Sequence, residues 1–230
     1  RVRRQRQMCI RDRVSGMLFL MIFSPPLAFI MDRFQQWIIA LNGGAKSVIG
    51  GVIGACMGFD LGGPINKTAS LAANALGADG INGPMAAKLV GGMTPPIGAF
   101  IATLLAKKKF AQAQIDTAKA AFPMGLCFIT EGVLPFAAAD PVRFIISSVL
   151  GSATAGAIAV GSGVESVAAH GGIFVIPMMT NPLMFVVALV IGSVVTGVVY
   201  AVIKRETVAE TETVENSETD DFDFDITLEE

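Results

Sequence analysis

From Leu183 to Ile203 the chain runs for 21 residues without a charged side chain, and Lys204-Arg205 follow at once. A helix needs about 20 apolar residues to cross about 30 Å of hydrocarbon, so this run predicts a membrane span. The cations after it put that end in the cytoplasm. Two further runs have the same character. Val142–Val164 carries only Arg143 at its edge; Pro84–Ala106 is broken at Thr94-Pro95-Pro96 and closed by Lys107-Lys108-Lys109. Met17–Met31 and Val48–Phe59 are shorter, and the first contains Pro25-Pro26. A soluble domain carries about a quarter charged residues; this chain carries 16% and crowds many of them at its ends. One water-soluble core is excluded.

The basic clusters set a parity condition. If Lys107–Lys109 and Lys204-Arg205 are both cytoplasmic, an even number of crossings separates them. Three candidate segments lie between: Ala118–Ala139, Val142–Val164 and Leu183–Ile203. Ala118–Ala139 is expected to dip in and return, because it holds Glu131, Gly132 and Pro135 and ends in Asp140-Pro141. Irregular backbone at membrane depth is tolerated where protein covers it or where it lines a wet cavity. Interrupted apolar segments also point to transporter binding sites.

The two ends are set apart from this body. Residues 1–13, with six arginines and no apolar periodicity, are expected to be a non-native or disordered leader. Residues 14–205 are expected to form a partial membrane domain. Residues 206–230, acidic and without Lys or Arg, are expected to be a disordered tail, since they cannot bury enough surface to offset ordering. The net charge of −2 averages these three regions. No basic stripe interleaved with aromatics supports nucleic-acid binding. Cys9, Cys56 and Cys127 have no metal or redox spacing, and the last two are expected to pack as small apolar residues.

Three polar islands interrupt the apolar body: Gly58–Ala69 with Asp60, Asn66 and Lys67; Phe128–Pro141 with Thr130, Glu131 and Asp140; and Ala168–Phe174 with His170, the single histidine. Ionisable groups at membrane depth are costly unless paired or hydrated, so they mark candidate sites. Carboxylates, amides and an imidazole suit a ring of hydroxyls. Glu131 can accept from two neighbouring hydroxyls, and Glu131 or His170 could take a hydroxyl proton. Asp60 and Lys67, two helical turns apart, could neutralise one another; Gly62-Gly63-Pro64 between them argues for a broken helix, where they either cap its ends or contact a ligand. Asp140 before Pro141 reads as a helix cap. These features fit a sugar permease, an ion-coupled secondary transporter, or a membrane anchor whose islands only pack.

The stretches FDLGGPINKTA, GGMTPPIGAFIATLL, MGLCFITEGVLPFAAADPVR, HGGIF and NPL resemble the IIC component of fructose-type phosphotransferase permeases, in order from about Met17 to Arg205. The resemblance implies an all-α polytopic membrane protein of the glucose/fructose IIC type. It would have transmembrane helices and re-entrant hairpins, would correspond to the C-terminal half, and would be truncated at its N-terminus. It implies a bacterial or archaeal inner (plasma) membrane location, sugar binding, and phosphorylation by a phosphocysteine on IIB to give fructose 1-phosphate. Phosphate would arrive from phosphoenolpyruvate through HPr and IIA. The sugar contacts implied are Glu131, in the ITEG position, and His170, in the HGG position. Asp60, Asn66 and Lys67 match DxGGPxNK, and Thr130 precedes Glu131. A homodimer is implied for the full-length protein, and no cofactor or metal.

Overall fold

The computed structural model describes residues 46–204 and seven residues from Met17 to Gln36. The leader, the acidic tail and most of the Met17–Met31 run lie outside the described residues. Within residues 46–204, seven α-helices follow in order: α1 Lys46–Phe59, α2 Pro64–Ala78, α3 Gly83–Leu105, α4 Gln112–Leu126, α5 Leu134–Ala139, α6 Pro141–Gly161 and α7 Pro182–Ile203. Proline stands in the first turn of α2, α3, α5, α6 and α7, where its missing N–H costs nothing. Among the described residues, α3, α6 and α7 are long and apolar enough to span a membrane, and they coincide with the three long apolar runs.

Helix α3 passes through Pro95 and Pro96 without a break, contrary to the expected interruption. Each proline lacks the N–H that would bond the carbonyl four residues earlier, which frees the oxygens of Gly91 and Gly92. Both find donors elsewhere. Ser152 Oγ of α6 donates to Gly91 O at 2.8 Å, and Thr130 Oγ1 donates to Gly92 O at 2.9 Å. The helix survives because neighbouring side chains satisfy it.

Small residues set the helix spacing. Gly50, Gly54 and Gly58, four apart on α1, lie against Gly156, Ser152 and Ser148 of α6; a Cβ on Gly50 or Gly54 would strike the Gly156 or Ser152 carbonyl oxygen. Gly151 faces Thr196 of α7, and Gly98 of α3 faces the same threonine. Lipid gives helices no hydrophobic reason to associate, so close backbone approach supplies the van der Waals energy instead.

The segment expected to dip and return does so. Lys109 Nζ donates to Ala201 O at 2.9 Å, so the C-terminal ends of α3 and α7 lie together. Phe110, just before α4, is 6.2 Å from Phe136 in α5; Phe136 is 5.9 Å from Phe144 in α6, and Phe144 is 5.0 Å from Tyr200 in α7. The α4–α5 segment therefore leaves this end of the bundle and comes back to it. Its tip, at Thr130, touches Gly92, about 14 Å along α3 from its start and about 20 Å from its end.

A second hairpin enters from the other side. Helix α1 has 14 residues, about 21 Å, too short to span. Lys46 at its start, Gly80–Asn82 after α2, and Gly163 after α6 surround one small cavity at the far end. The turn between α1 and α2 uses Leu61 at φ 51° and Gly62 at φ 110°.

Lys204 is not a solvated interfacial charge. It is 4% exposed, with its Nζ 4.7 Å from the Phe110 ring centroid and 5.4 Å from that of Tyr200. Cys56 is half-buried, as a packing residue would be, whereas Cys127 is exposed at the α4 end of its hairpin.

Candidate functional site

The two hairpin tips meet around a cavity of about 360 Å³. One wall is α2, which offers Asn66, Lys67 and Asn74; the other carries Phe128, Thr130, Glu131 and His170. The three sequence islands, well separated in the chain, converge here because glycines let them touch. A Cβ on Gly62 would stand 2.7 Å from Glu131 Oε1, and its φ of +110° is a left-handed value that favours glycine. Gly172, at φ +56°, presses on the Leu126 carbonyl oxygen, where any side chain would collide. That contact holds the HGG loop beside the hairpin tip, and His170 meets Phe128 edge-on with centroids 5.0 Å apart. Phe128 itself has φ 66°, and its ring lies over Gly92, where a Cβ would stand 2.5 Å from Cε2.

Glu131, Lys67 and His170 are all exposed to this cavity. Among the described residues none of the three makes a side-chain hydrogen bond within the chain, so their donors and acceptors remain available to a ligand. Asn66 is buried, and its Nδ2 donates to Met57 O at 2.8 Å. Thr130 is buried too; its hydroxyl proton is committed to Gly92 O, which leaves it an acceptor at most.

Two expected roles change. Asp60 does not line the cavity. Its Oδ2 accepts from Ile65 N at 2.6 Å and its Oδ1 from Asn66 N at 2.9 Å, so both oxygens cap the start of α2. Of the roles left open for Asp60, the structure takes the cap. The turn geometry explains this, since the carboxylate sits under Gly63, where a Cβ would be 2.7 Å from Oδ2. Asp140 occupies the cap position of α6, but its carboxylate bonds no backbone N–H; it pairs with Arg143 Nη1 at 3.1 Å.

Sequence reasoning missed Asn74 and Ser70, which also line the cavity. Asn66, Ser70 and Asn74 fall at i, i+4 and i+8, a polar stripe on one helical face that a search for apolar periodicity passes over. It also missed Lys88, fully buried inside α3, whose Nζ donates to Asn74 Oδ1 at 2.7 Å.

A site of this kind, with one carboxylate, one imidazole, one ammonium and two carboxamides facing a chamber of this size, matches a small polyhydroxylated ligand better than an ion or an apolar molecule.

The chain is similar to several characterised proteins. It is 47% identical over 197 residues to the PTS system fructose-specific EIIB'BC component of Haemophilus influenzae, a match that covers 86% of this chain and 35% of that protein. It is 40% identical over 188 residues to the PTS system fructose-specific EIIC component of Haloferax volcanii, covering 81% and 50%. It is 36% identical over 192 residues to the fructose permease IIC component of Bacillus amyloliquefaciens, covering 84% and 63%. The chain thus spans from about a third to less than two thirds of the length of these relatives. No protein-family model matches it, and no solved structure does. Together with the three apolar helices, these similarities make it an integral membrane protein.

Proposed function

Because the chain belongs to the membrane-component (IIC) family of fructose-type phosphotransferase permeases, we propose that it binds a fructose-like sugar between its two hairpin tips and carries it inward for phosphorylation. The observation that supports this most is the convergence of Glu131, His170, Asn66 and Lys67 on one cavity near mid-span. Glu131 accepts hydrogen bonds from two sugar hydroxyls, while Lys67 and His170 donate to others. Asp60 contributes indirectly, by fixing the start of the helix that carries Asn66.

The phosphoryl donor is a phosphocysteine on a IIB domain, in keeping with relatives whose names join B and C components. In the transfer the S–P bond breaks and an O–P bond forms at the sugar hydroxyl, whose proton passes to Glu131 or His170. The cysteine sulfur leaves as thiolate, and fructose 1-phosphate is released. IIA and HPr stand upstream of IIB. In this reading the end of the bundle that holds Lys107–Lys109 and Lys204 faces the cytoplasm, and the full-length protein works as a homodimer.

The test uses membranes containing the full-length protein and the soluble phosphotransferase components. Labelled fructose should become fructose 1-phosphate only when phosphoenolpyruvate is supplied. Glu131→Gln should lower the rate about a hundredfold or more and His170→Ala about tenfold or more. Normal phosphorylation in both variants removes the site assignment. Gradient-driven accumulation of unmodified sugar removes the phosphotransferase reading altogether.

A further inference from the structure

Lys88 is the single charged residue of α3 and is wholly shielded from solvent, yet among the described residues no carboxylate pairs with it. Its Nζ donates instead to Asn74 Oδ1 at 2.7 Å. An ammonium has three donors and no acceptor, so it fixes which end of the carboxamide faces it. The Asn74 oxygen turns to Lys88 and the NH2 is left for the cavity that Asn74 lines. Asn66, two turns earlier on the same face, is fixed the opposite way. Its Nδ2 is held by the Met57 carbonyl, which can only accept, so the cavity is offered Oδ1.

The geometry points to Lys88 as a positioning residue that, through Asn74, sets the hydrogen-bond polarity of the sugar site: a donor at Asn74 and an acceptor at Asn66. The inference rests on the sugar reading above and specifies how that site selects. Two side chains eight residues apart on a helix stand about 12 Å apart. Subtracting two hydrogen bonds of about 2.9 Å leaves about 6 Å, the reach between hydroxyls at opposite ends of a hexose. The ligand therefore offers an oxygen lone pair at one end and a hydroxyl proton at the other. A residue kept buried and charged is costly in a span; orienting one carboxamide gives that charge a use.

Monodeoxyfluoro fructoses read this directly, since fluorine keeps acceptor character but cannot donate. The full-length protein in membranes is titrated with fructose and with each fluoro analogue. In the wild type, fluorine at the hydroxyl facing Asn74 should cost less than about threefold in affinity. Asn74→Asp keeps a partner for Lys88 but offers the cavity only acceptors, so fructose still binds through its hydroxyl proton while that fluoro analogue weakens about tenfold or more. Lys88→Met, similar in length, releases the carboxamide and should raise the same fluoro-to-fructose ratio severalfold, a ratio that lost packing alone would not move. If Lys88→Met does not assemble, Asn74→Asp decides alone. A ratio unchanged in every variant that still binds fructose overturns the inference and leaves the sugar reading intact. A wild type that binds no fructose overturns both.

Discussion

Gly62 and Glu131 come from opposite hairpins and lie in contact: a Cβ on the glycine would stand 2.7 Å from the carboxylate Oε1. The candidate sugar ligand is thus positioned by a residue far away in the chain that has no side chain at all.

Gly62→Ala should therefore lower fructose affinity about tenfold or more. The substitution adds both a collision with Glu131 and the left-handed backbone strain of about 1–2 kcal/mol. Gly163→Ala isolates the strain, because that glycine has φ +72° but a methyl there would meet nothing within 4 Å. Equal effects of the two substitutions on fructose binding would show that contact with Glu131 is irrelevant.

Thr130→Val should destabilise the hairpin tip by about 1–3 kcal/mol, the usual cost of an abandoned buried acceptor, here Gly92 O. Pro96→Ala restores the helical N–H that can bond the same oxygen. Thr130→Val should then cost markedly less in the Pro96→Ala background, measured as thermal unfolding in detergent. Strict additivity of the two substitutions would contradict the shared-acceptor account.

Gly54→Leu should prevent α1 from seating on α6, since even a methyl there strikes the Ser152 carbonyl oxygen. The loss expected is several kcal/mol, visible as a collapse of monodisperse protein on size exclusion. Gly51→Ala is the comparison, because its methyl would meet neighbours at an ordinary 3.6 Å. Both variants behaving alike would remove the close-packing argument.

Burial lowers the Lys204 pKa from its ordinary value, with Asp140 opposing the change and Arg143 adding to it. The unfolded chain then keeps this proton to higher pH than the folded one. Folding consequently gains stability as pH rises through the folded pKa toward about 10.4. In Lys204→Met this gain is absent. The difference in melting midpoint, wild type minus variant, should increase as pH rises toward about 10.4; a flat difference counts against a destabilised ammonium at this position.

The three spans could be read from sequence because a long apolar run with at most one charge has few other fates in water or lipid. The α4–α5 hairpin was legible from the parity of Lys107–Lys109 and Lys204. What escaped depends on partners far along the chain. Thr94-Pro95-Pro96 reads as a break until Ser152 and Thr130 are seen to take the freed carbonyls. Lys204 marks an end of a span in the sequence, and only the structure shows Phe110 and Tyr200 around it. Helix α2 was hidden because its buried face is built mainly of Ala69, Ala72 and Ala73 beside Asn66 and Thr68, which give little hydrophobic contrast. Of the candidate ligands, Glu131, His170, Asn66 and Lys67 share the cavity as the islands suggested, whereas Asp60 serves the helix start and Asn74 and Lys88 had no motif to announce them.

Each hairpin returns to the end of the bundle from which it set out. The chamber between their tips is therefore walled by one segment from each end of the bundle, and neither wall is threaded through the other.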